Sequence, residues 1–343
     1  MIRGRPAVTR PADADIRLRR FGRTDLRVSE FGFGCARVGG IFQRDPADFL
    51  NLLSAAFDAG MNFFDTADIY SQGESEVLLG RAFRHRRDQI VIASKAGFVL
   101  PAQRRLVARL KPFVRPLLGI IRLGRQHLPG AVRGALAQDF SPAHLRRAVE
   151  GSLKRLGTDR LDLFQLHSPP TAIVQGGEWF EALEQLKRDG KIRYYGISCD
   201  TVDAAAAALE RPGVSSIQVP INLLEREFVD VLPRAREQGI AVIARECLSN
   251  GLLAKEATAA DVEACSQSPS AAALKGARLE LCRQAATENA CTLSTLALKY
   301  VSRLDGVSVT LVGASRPAQL QGLLAGGFTA ADLPELRGIP RWA

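Results

Sequence analysis

The stretch AGMNFFDTADIYSQGESEVLLG (59–80) decides the fold, because a short apolar run within it ends on polar side chains. The run FFDTA (63–67) is aromatic and apolar on both alternating faces, which is typical of a strand buried on both sides of a parallel sheet. Asp65 lies toward the far end of this run, and Tyr70 follows shortly after it. The segment therefore predicts a buried strand that carries polar groups to one edge of a sheet.

Seven further runs have the same character, which gives eight candidate strands. They are FGFGCA (31–36), IVIASKA (90–96), LDLFQLH (161–167), YYGISC (194–199), SSIQVPIN (215–222), AVIARECL (241–248) and VSVTLVG (307–313). Segments of helical character lie between them, for example 141–156, where Ser141 can cap the helix and Pro142 fits its first turn. Glycines 190 and 239 suit the ends of two further helices. The eightfold alternation predicts a closed (β/α)₈ TIM barrel rather than an open doubly wound sheet.

In such a barrel the chemistry lies at the carboxyl ends of the strands. Lys95 ends the run IVIASKA and His167 ends LDLFQLH, in the same way that Asp65 ends its strand. An ammonium group stabilises a neighbouring tyrosine as its phenolate, and a buried Asp65 needs a cationic partner to stay ionised, so Lys95 suits both tasks. His167 is then placed to orient a substrate oxygen beside Tyr70. The four residues predict a general acid next to an oxyanion site.

The composition limits the classes of function. The chain has 343 residues and a formal net charge of +10, from 46 Lys and Arg against 36 Asp and Glu. Nucleic-acid binding is disfavoured, because aromatic residues are few and no basic stripe is interleaved with them. The six cysteines form no CxxC pair and no cluster with the four histidines at metal-ligand spacing, so we expect free thiols in a reducing cytoplasm and no metal. No apolar stretch is long enough to span a bilayer, so we expect no membrane partner.

We expect a single barrel domain over residues 16–343. Residues 1–15 are rich in Arg, Pro and Ala without periodicity and predict a disordered leader. The segment IRLRRFGRTDLRVSEFG (16–32) predicts a β-hairpin that closes the bottom of the barrel. An insertion at about 98–140, after the third strand, is far longer than an ordinary βα loop. We expect it to form a lid that selects substrate or contacts a second subunit; a solvated hairpin and a membrane-surface segment are alternatives.

Each of the four polar residues taken alone has an ordinary structural explanation, as a cap, a packing residue or a satisfied polar group. Together they belong to motifs that resemble those of the aldo-keto reductases, from about residue 16 to about residue 324. The motifs are RRFGRTDLRVSEFGFGC (19–35), AGMNFFDTADIYSQGESEVLLGRAF (59–83), SKAG (94–97), AVEGSLKRLGTDRLDLFQLHSPP (148–170), GKIRYYGISCD (190–200) and VTLVGASRPAQL (309–320). The resemblance implies a (β/α)₈ barrel, a nicotinamide cofactor at the strand carboxyl ends, and hydride transfer to an aldehyde or ketone. The catalytic tetrad that it implies falls on Asp65, Tyr70, Lys95 and His167.

By motif position, the resemblance also implies a set of cofactor contacts. Ser198 and Gln218 would hold the nicotinamide carboxamide, and the loop 313–319 would receive the adenosine phosphate. The candidates are Ser198, Gln218, Gly313, Ser315, Arg316 and Gln319, with Asn222 as a weaker one. Arg316 is the only cation in that loop, and its planar fork suits a 2′-phosphate, so NADP is the expected cofactor and NAD the alternative. A solvated loop charge is the ordinary explanation of Arg316.

One departure from the family pattern is Cys199, which stands where the family often has Asn, so one amide contact to the nicotinamide is expected to be lost.

The loops after the first, third, fourth and seventh strands are expected to line the substrate pocket. They contain Arg37, Phe42, Phe98, Trp179, Leu248 and Asn250. Their mixed apolar and polar character suits a sugar-like carbonyl at least as well as a flat aromatic one.

Two classes of function follow. The first is an NAD(P)-dependent oxidoreductase that acts on a small soluble carbonyl or alcohol substrate, with Tyr70 as general acid or base. The second is a catalytically weak binding or regulatory subunit on the same scaffold. The sequence leaves the physiological direction, the substrate and a homo-oligomeric state open.

Overall fold

The computed structural model describes residues 16–38, 46–99 and 136–324. Its strands are β1 (Leu18–Arg20), β2 (Arg27–Ser29), β3 (Phe31–Gly34), β4 (Phe63–Asp65), β5 (Val91–Ala96), β6 (Phe98–Val99), β7 (Ala137–Gln138), β8 (Leu161–His167), β9 (Ile192–Ser198), β10 (Ser216–Pro220), β11 (Ala241–Arg245) and β12 (Val307–Val312). All except β1, β2, β6 and β7 form one closed barrel in chain order. Its neighbouring strands are parallel. The eight barrel strands lie on the eight apolar runs, so the predicted TIM barrel is confirmed.

Helices connect the barrel strands. They are α1 (Pro46–Asp58), α2 (Glu74–Ala82), α3 (Pro142–Leu156), α4 (Thr171–Gly176), α5 (Phe180–Arg188), α6 (Val202–Leu209), α7 (Leu232–Glu237), α8 (Ala259–Ala264), α9 (Pro269–Glu288), α10 (Leu293–Arg303) and α11 (Pro317–Leu324). The Ser141 side chain caps α3 by accepting from the backbone N–H of His144, as the sequence predicts. Gly190 and Gly239 follow α5 and α7 with φ of 72° and 63°, a left-handed conformation that favours glycine.

The N-terminal hairpin is confirmed as well. β1 and β2 pair antiparallel. Phe21, Leu26 and Val28 from this hairpin are buried in one cluster with inward-facing strand residues such as Leu163. The Phe21 ring lies 5.8 Å from the ring of Phe63 on β4. The hairpin thus closes the end of the barrel opposite the strand carboxyl ends.

The insertion begins and ends in a short antiparallel pair, β6 with β7. This pair leaves the barrel directly after β5, which carries Lys95. Residues 100–135 lie outside the described part of the chain, so the lid remains a prediction. The leader expected at 1–15 lies outside it too.

A second long excursion follows β11 and includes α8 and α9. It contributes to a second apolar cluster that contains Leu223, Leu252, Leu279 and Leu296. All six cysteines are free thiols. The expected location in a reducing cytoplasm remains a prediction. Among residues 16–38, 46–99 and 136–324, no helix combines the length and apolar character needed to cross a membrane.

Candidate active site

A cleft opens at the carboxyl ends of the barrel strands. Asp65, Tyr70 and His167 line it, as the sequence predicts. Four of the candidate cofactor contacts line it too, namely Ser198, Gln218, Gly313 and Gln319. The end of β11 and the segment after it contribute a further wall of Arg245, Glu246, Cys247, Leu248, Asn250 and Gly251. The fold therefore brings three of the four predicted catalytic residues and four of the six candidate cofactor residues to one opening.

Lys95 lies beneath the cleft surface, with 1% of the residue exposed. Its Nζ donates to Asp65 Oδ2 at 2.6 Å and to the backbone oxygen of Thr66 at 2.8 Å. Burial by itself lowers the pKa of the Lys95 ammonium, but the interactions with Asp65 and Tyr70 outweigh it and hold the pKa above its ordinary value of 10.5. Lys95 is consequently a fixed cation at neutral pH.

Asp65 is held from a second side. Its Oδ1 accepts from Gln218 Nε2 at 2.9 Å and, more weakly, from Gln165 Nε2 at 3.4 Å. Gln165 was not predicted from the sequence. The signal that could have found it is its position on β8 two residues before His167, because alternate residues of a strand point to the same face. An amide in an otherwise apolar strand then indicates a hydrogen-bond partner for a polar group inside the barrel.

Tyr70 contacts both the ammonium and the imidazole. Lys95 Nζ lies 5.1 Å from the centroid of the Tyr70 ring. The rings of Tyr70 and His167 meet edge to face, with centroids 5.8 Å apart. Phe98, at the base of the insertion, packs against His167, with the two ring centroids 4.8 Å apart. The tetrad predicted from the sequence is therefore one contiguous group.

Local hydrogen bonds place Tyr70 at this position. The loop after β4 is pinned to the next strand by the backbone N–H of Asp68, which donates to the Lys95 oxygen at 3.0 Å. The backbone N–H of Tyr70 then donates to the Ala67 oxygen at 3.1 Å and closes a turn. The strand that carries the lysine thus also anchors the loop that carries the tyrosine.

The candidate cofactor contacts fall at two ends of the cleft. Near the tetrad, Ser198 Oγ lies 3.5 Å from Gln218 Oε1. At the other end, Gln319 Oε1 accepts from the backbone N–H and the hydroxyl of Ser315, at 2.9 and 3.2 Å. A Cβ added at Gly313 would meet no atom within 4 Å, so the backbone there faces open space.

Ser315 and Arg316 are not among the residues that line the cleft. Both are exposed, and they directly precede α11. Gln319, on the first turn of that helix, does line the cleft. This end of the cleft therefore joins a loop, a helix N-terminus and one exposed cation.

Asn222 and Trp179 do not contribute to the cleft as expected, and the Cys199 thiol, where loss of an amide contact is expected, does not reach the cleft either. Asn222 lies beyond the end of β10, and its Oδ1 accepts from the backbone N–H groups of Leu224 and Glu225, so it forms a turn. Trp179 is 1% exposed and donates to the Ile173 oxygen inside the helical layer. Cys199 is fully buried in the main core. None of these three side chains is among those that line the cleft.

The comparisons with known proteins agree with this geometry. The model of the Aldo/keto reductase family matches residues 30–339, and the chain therefore belongs to this family. It is 31% identical over 307 residues to a D-threo-aldose 1-dehydrogenase of Pseudomonas sp, covering 86% of this chain and 88% of that protein. It is also 31% identical over 308 residues to the uncharacterized oxidoreductase YqkF of Bacillus subtilis, covering 89% of each.

Two solved structures show the same fold. The holo form of the aldo-keto reductase AKR11C1 from Bacillus halodurans superposes with a TM-score of 0.73 at 29% identity, covering 94% of this chain and 95% of that one. The glycerol dehydrogenase AKR11B4 from Gluconobacter oxydans superposes with a TM-score of 0.67 at 26% identity, covering 91% and 90%. The likeness to these two structures thus covers at least 91% of this chain.

Proposed function

We propose that the protein is an NAD(P)-dependent oxidoreductase that transfers hydride between a nicotinamide cofactor and the carbonyl carbon of a small aldehyde, ketone or sugar-like substrate. The observation that carries the proposal is the position of the buried Lys95, which is hydrogen-bonded to Asp65 and packs against the Tyr70 ring. His167 packs edge to face against the same tyrosine ring. A cation in this position stabilises a phenolate, which is the form that Tyr70 takes after it gives up its proton.

The proton steps follow from the residues in place. In reduction, the Tyr70 hydroxyl gives its proton to the carbonyl oxygen, and a nicotinamide cofactor held at Ser198 and Gln218 would supply hydride to the carbon. Lys95 stabilises the phenolate that results, and Asp65 fixes the position of the ammonium. His167 orients the substrate oxygen beside Tyr70 and adds a polar group where negative charge develops. In oxidation, the Tyr70 phenolate accepts the proton of the alcohol.

The residues present fit the nicotinamide cofactor. Ser198 and Gln218 place a hydroxyl and an amide at the tetrad end of the cleft, where a carboxamide needs hydrogen-bond partners. The open space at Gly313, just before α11, leaves room for a phosphate at the other end. Arg316 supplies the exposed cation there, which favours NADP over NAD.

A hydroxylated substrate is supported by two facts. The end of β11 and the residues after it add the polar side chains of Arg245, Glu246 and Asn250 to the cleft. The similar proteins named above include a D-threo-aldose 1-dehydrogenase and a glycerol dehydrogenase. We therefore infer an aldose, a polyol or a carbonyl compound derived from one as the substrate class.

The test is turnover by the purified full chain. Consumption of NADPH or NADH would be followed with aldehydes, ketones and aldoses, and reduction of NADP⁺ or NAD⁺ with aldoses and polyols. Cofactor-dependent turnover that is lost in Tyr70→Phe is the expected result. Tight cofactor binding without turnover of any compound would overturn the enzyme proposal and favour a binding or regulatory subunit.

A further inference from the structure

The turn after Tyr70 has an unfavourable backbone conformation. Ser71 and Gln72 have φ of 49° and 61°, and Gly73 follows with φ of 88°. Residues with a Cβ rarely adopt the left-handed conformation, because the Cβ crowds the following carbonyl oxygen. Two such residues in succession need support from outside the turn.

Arg155 on α3 provides that support. Its side chain crosses Gly73 so closely that a Cβ added there would lie 2.7 Å from Arg155 Cδ. Beyond the glycine, Arg155 Nε donates to Glu76 Oε2 at 2.5 Å. The glycine that ends the turn 70–73 therefore packs directly against the Arg155 side chain, at the start of α2.

Glu76 joins this contact to the strand of the catalytic lysine. The residue is fully buried. Its Oε1 accepts from Ser94 Oγ at 2.6 Å, and Ser94 precedes Lys95 on β5. One carboxylate thus connects α2, α3 and β5, which are the elements on either side of the Tyr70 turn.

The third residue is Asp68, which lies two residues before Tyr70 and whose backbone N–H donates to the Lys95 oxygen at 3.0 Å. Its Oδ1 is buried and has no hydrogen-bond partner within the described part of the chain. Burial first, and then the charge of Glu76, raise the pKa of Asp68 to about 7. Arg155, the backbone N–H of Ile69 and Lys95 act in the opposite direction. The Asp68 carboxyl therefore changes its charge close to neutral pH, beside a buried carboxylate.

We propose that Arg155, Glu76 and Asp68 form a positioning cluster behind the tetrad, which holds the Tyr70 turn in the geometry that proton transfer requires. None of the three is among the residues that line the cleft, so they act through Tyr70 and Lys95 and are not catalytic residues. When Asp68 is neutral, Glu76 is paired with Arg155 alone. When Asp68 ionises, its repulsion of Glu76 weakens the hold on the turn. The kinetic consequences rest on the proposed oxidoreductase function.

The kinetic test uses Arg155→Gln, with Arg155→Lys as the conservative variant and Arg146→Gln, an exposed position on the same helix, as the matched control. We expect Arg155→Gln to lower kcat by roughly 10- to 100-fold with KM and cofactor affinity within about twofold, which is the pattern of an interaction needed only in the transition state. Arg155→Lys should restore most of the loss, and Arg146→Gln should match the wild type.

A double-mutant cycle separates positioning from a general structural role. If Arg155 acts through the tyrosine, adding Arg155→Gln to Tyr70→Phe should lower the residual rate by less than about twofold. Losses that multiply in the double variant would overturn the proposal.

A second measurement does not need turnover. The chain has four tyrosines, so their ring-carbon NMR signals can be resolved after ¹³C labelling and Tyr70 assigned with Tyr70→Phe. We expect the Tyr70 signal to move in Arg155→Gln, and to show an inflection near pH 7 that is absent in Asp68→Asn. A Tyr70 signal unchanged in both variants would overturn the positioning role.

This measurement also separates the two proposals. If the wild type turned over no substrate, the proposed function would fail, while the Tyr70 signal would still decide the role of the cluster. Should Arg155→Gln fail to fold, the pH dependence of the Tyr70 signal in the wild type and in Asp68→Asn carries the test.

Discussion

The two ends of the cleft are built differently. At the tetrad end, Asp65, Lys95 and His167 are 3%, 1% and 4% exposed, and hydrogen bonds and ring contacts join them to each other or to Tyr70. At the other end, Ser315, Arg316 and Gln319 are exposed, and the contact of Gln319 with Ser315 is local. Groups that must stabilise charge during reaction are fixed in advance, whereas an exposed loop can complete its contacts when a ligand binds.

The largest effect is expected at the fixed end. Tyr70→Phe removes the proton donor but leaves the ring and its contacts, so turnover should fall by roughly 10²- to 10⁴-fold, as for loss of a general acid. Cofactor affinity, measured by calorimetric titration, should remain nearly unchanged. If the variant kept wild-type turnover, proton donation would have to come from another group and the fixed end would lose its assigned role.

The next effect concerns the exposed end. If Arg316 binds a 2′-phosphate, NADPH should bind more tightly than NADH, and Arg316→Ala should remove about 1.5–3 kcal/mol of that preference. Fluorescence titration with both cofactors measures it, and Arg146→Ala serves as a control for the loss of one exposed arginine. Equal affinities for the two cofactors in the wild type would exclude Arg316 from the site.

A smaller effect tests the support of the fixed end through its pH dependence. The Asp68 pKa is raised from 3.8 to about 7 in the folded protein, so the folded form holds a proton that the unfolded chain releases. Folding stability contributed by this group is therefore lost as pH rises from about 4 to about 7. At pH 8, Asp68→Asn should be more stable than the wild type by roughly 1–3 kcal/mol.

Urea unfolding at several pH values measures this difference. The two proteins should have similar stability below about pH 4, diverge up to about pH 7 and stay apart above it. A difference between the two proteins that does not change with pH would show that Asp68 does not titrate in this range.

The smallest effect on the cleft is expected for Cys199→Asn. The thiol is buried in the core rather than exposed to the cleft. An amide there should change cofactor affinity by less than about tenfold, or about 1.4 kcal/mol. Its burial should lower the free energy of unfolding by about 1–3 kcal/mol. A large gain in cofactor affinity would instead show that the Asn side chain reaches the nicotinamide.

The sequence by itself determined the barrel and the grouping of Asp65, Tyr70, Lys95 and His167. A strand buried on both faces must be apolar on both, so each of the eight strands is visible as a local run without knowledge of its neighbours. Because parallel strands deliver their carboxyl ends to one face, Asp65, Lys95 and His167 could be brought together from their positions alone. The cap at Ser141 and the left-handed glycines 190 and 239 depend on local backbone chemistry and were predicted for the same reason.

Only the tertiary structure decided which side chains support the tetrad. The bonds of Asp65 to Gln165 and Gln218 join residues 100 and 153 positions apart, and the bond of Arg155 to Glu76 spans 79. Such contacts depend on how the closed barrel and its helices pack, because a strand or helix pattern specifies the face of a residue and not its partner. The burial of Trp179 and Cys199 and the turn at Asn222 were decided in the same way, by the space that neighbouring elements leave once they are packed.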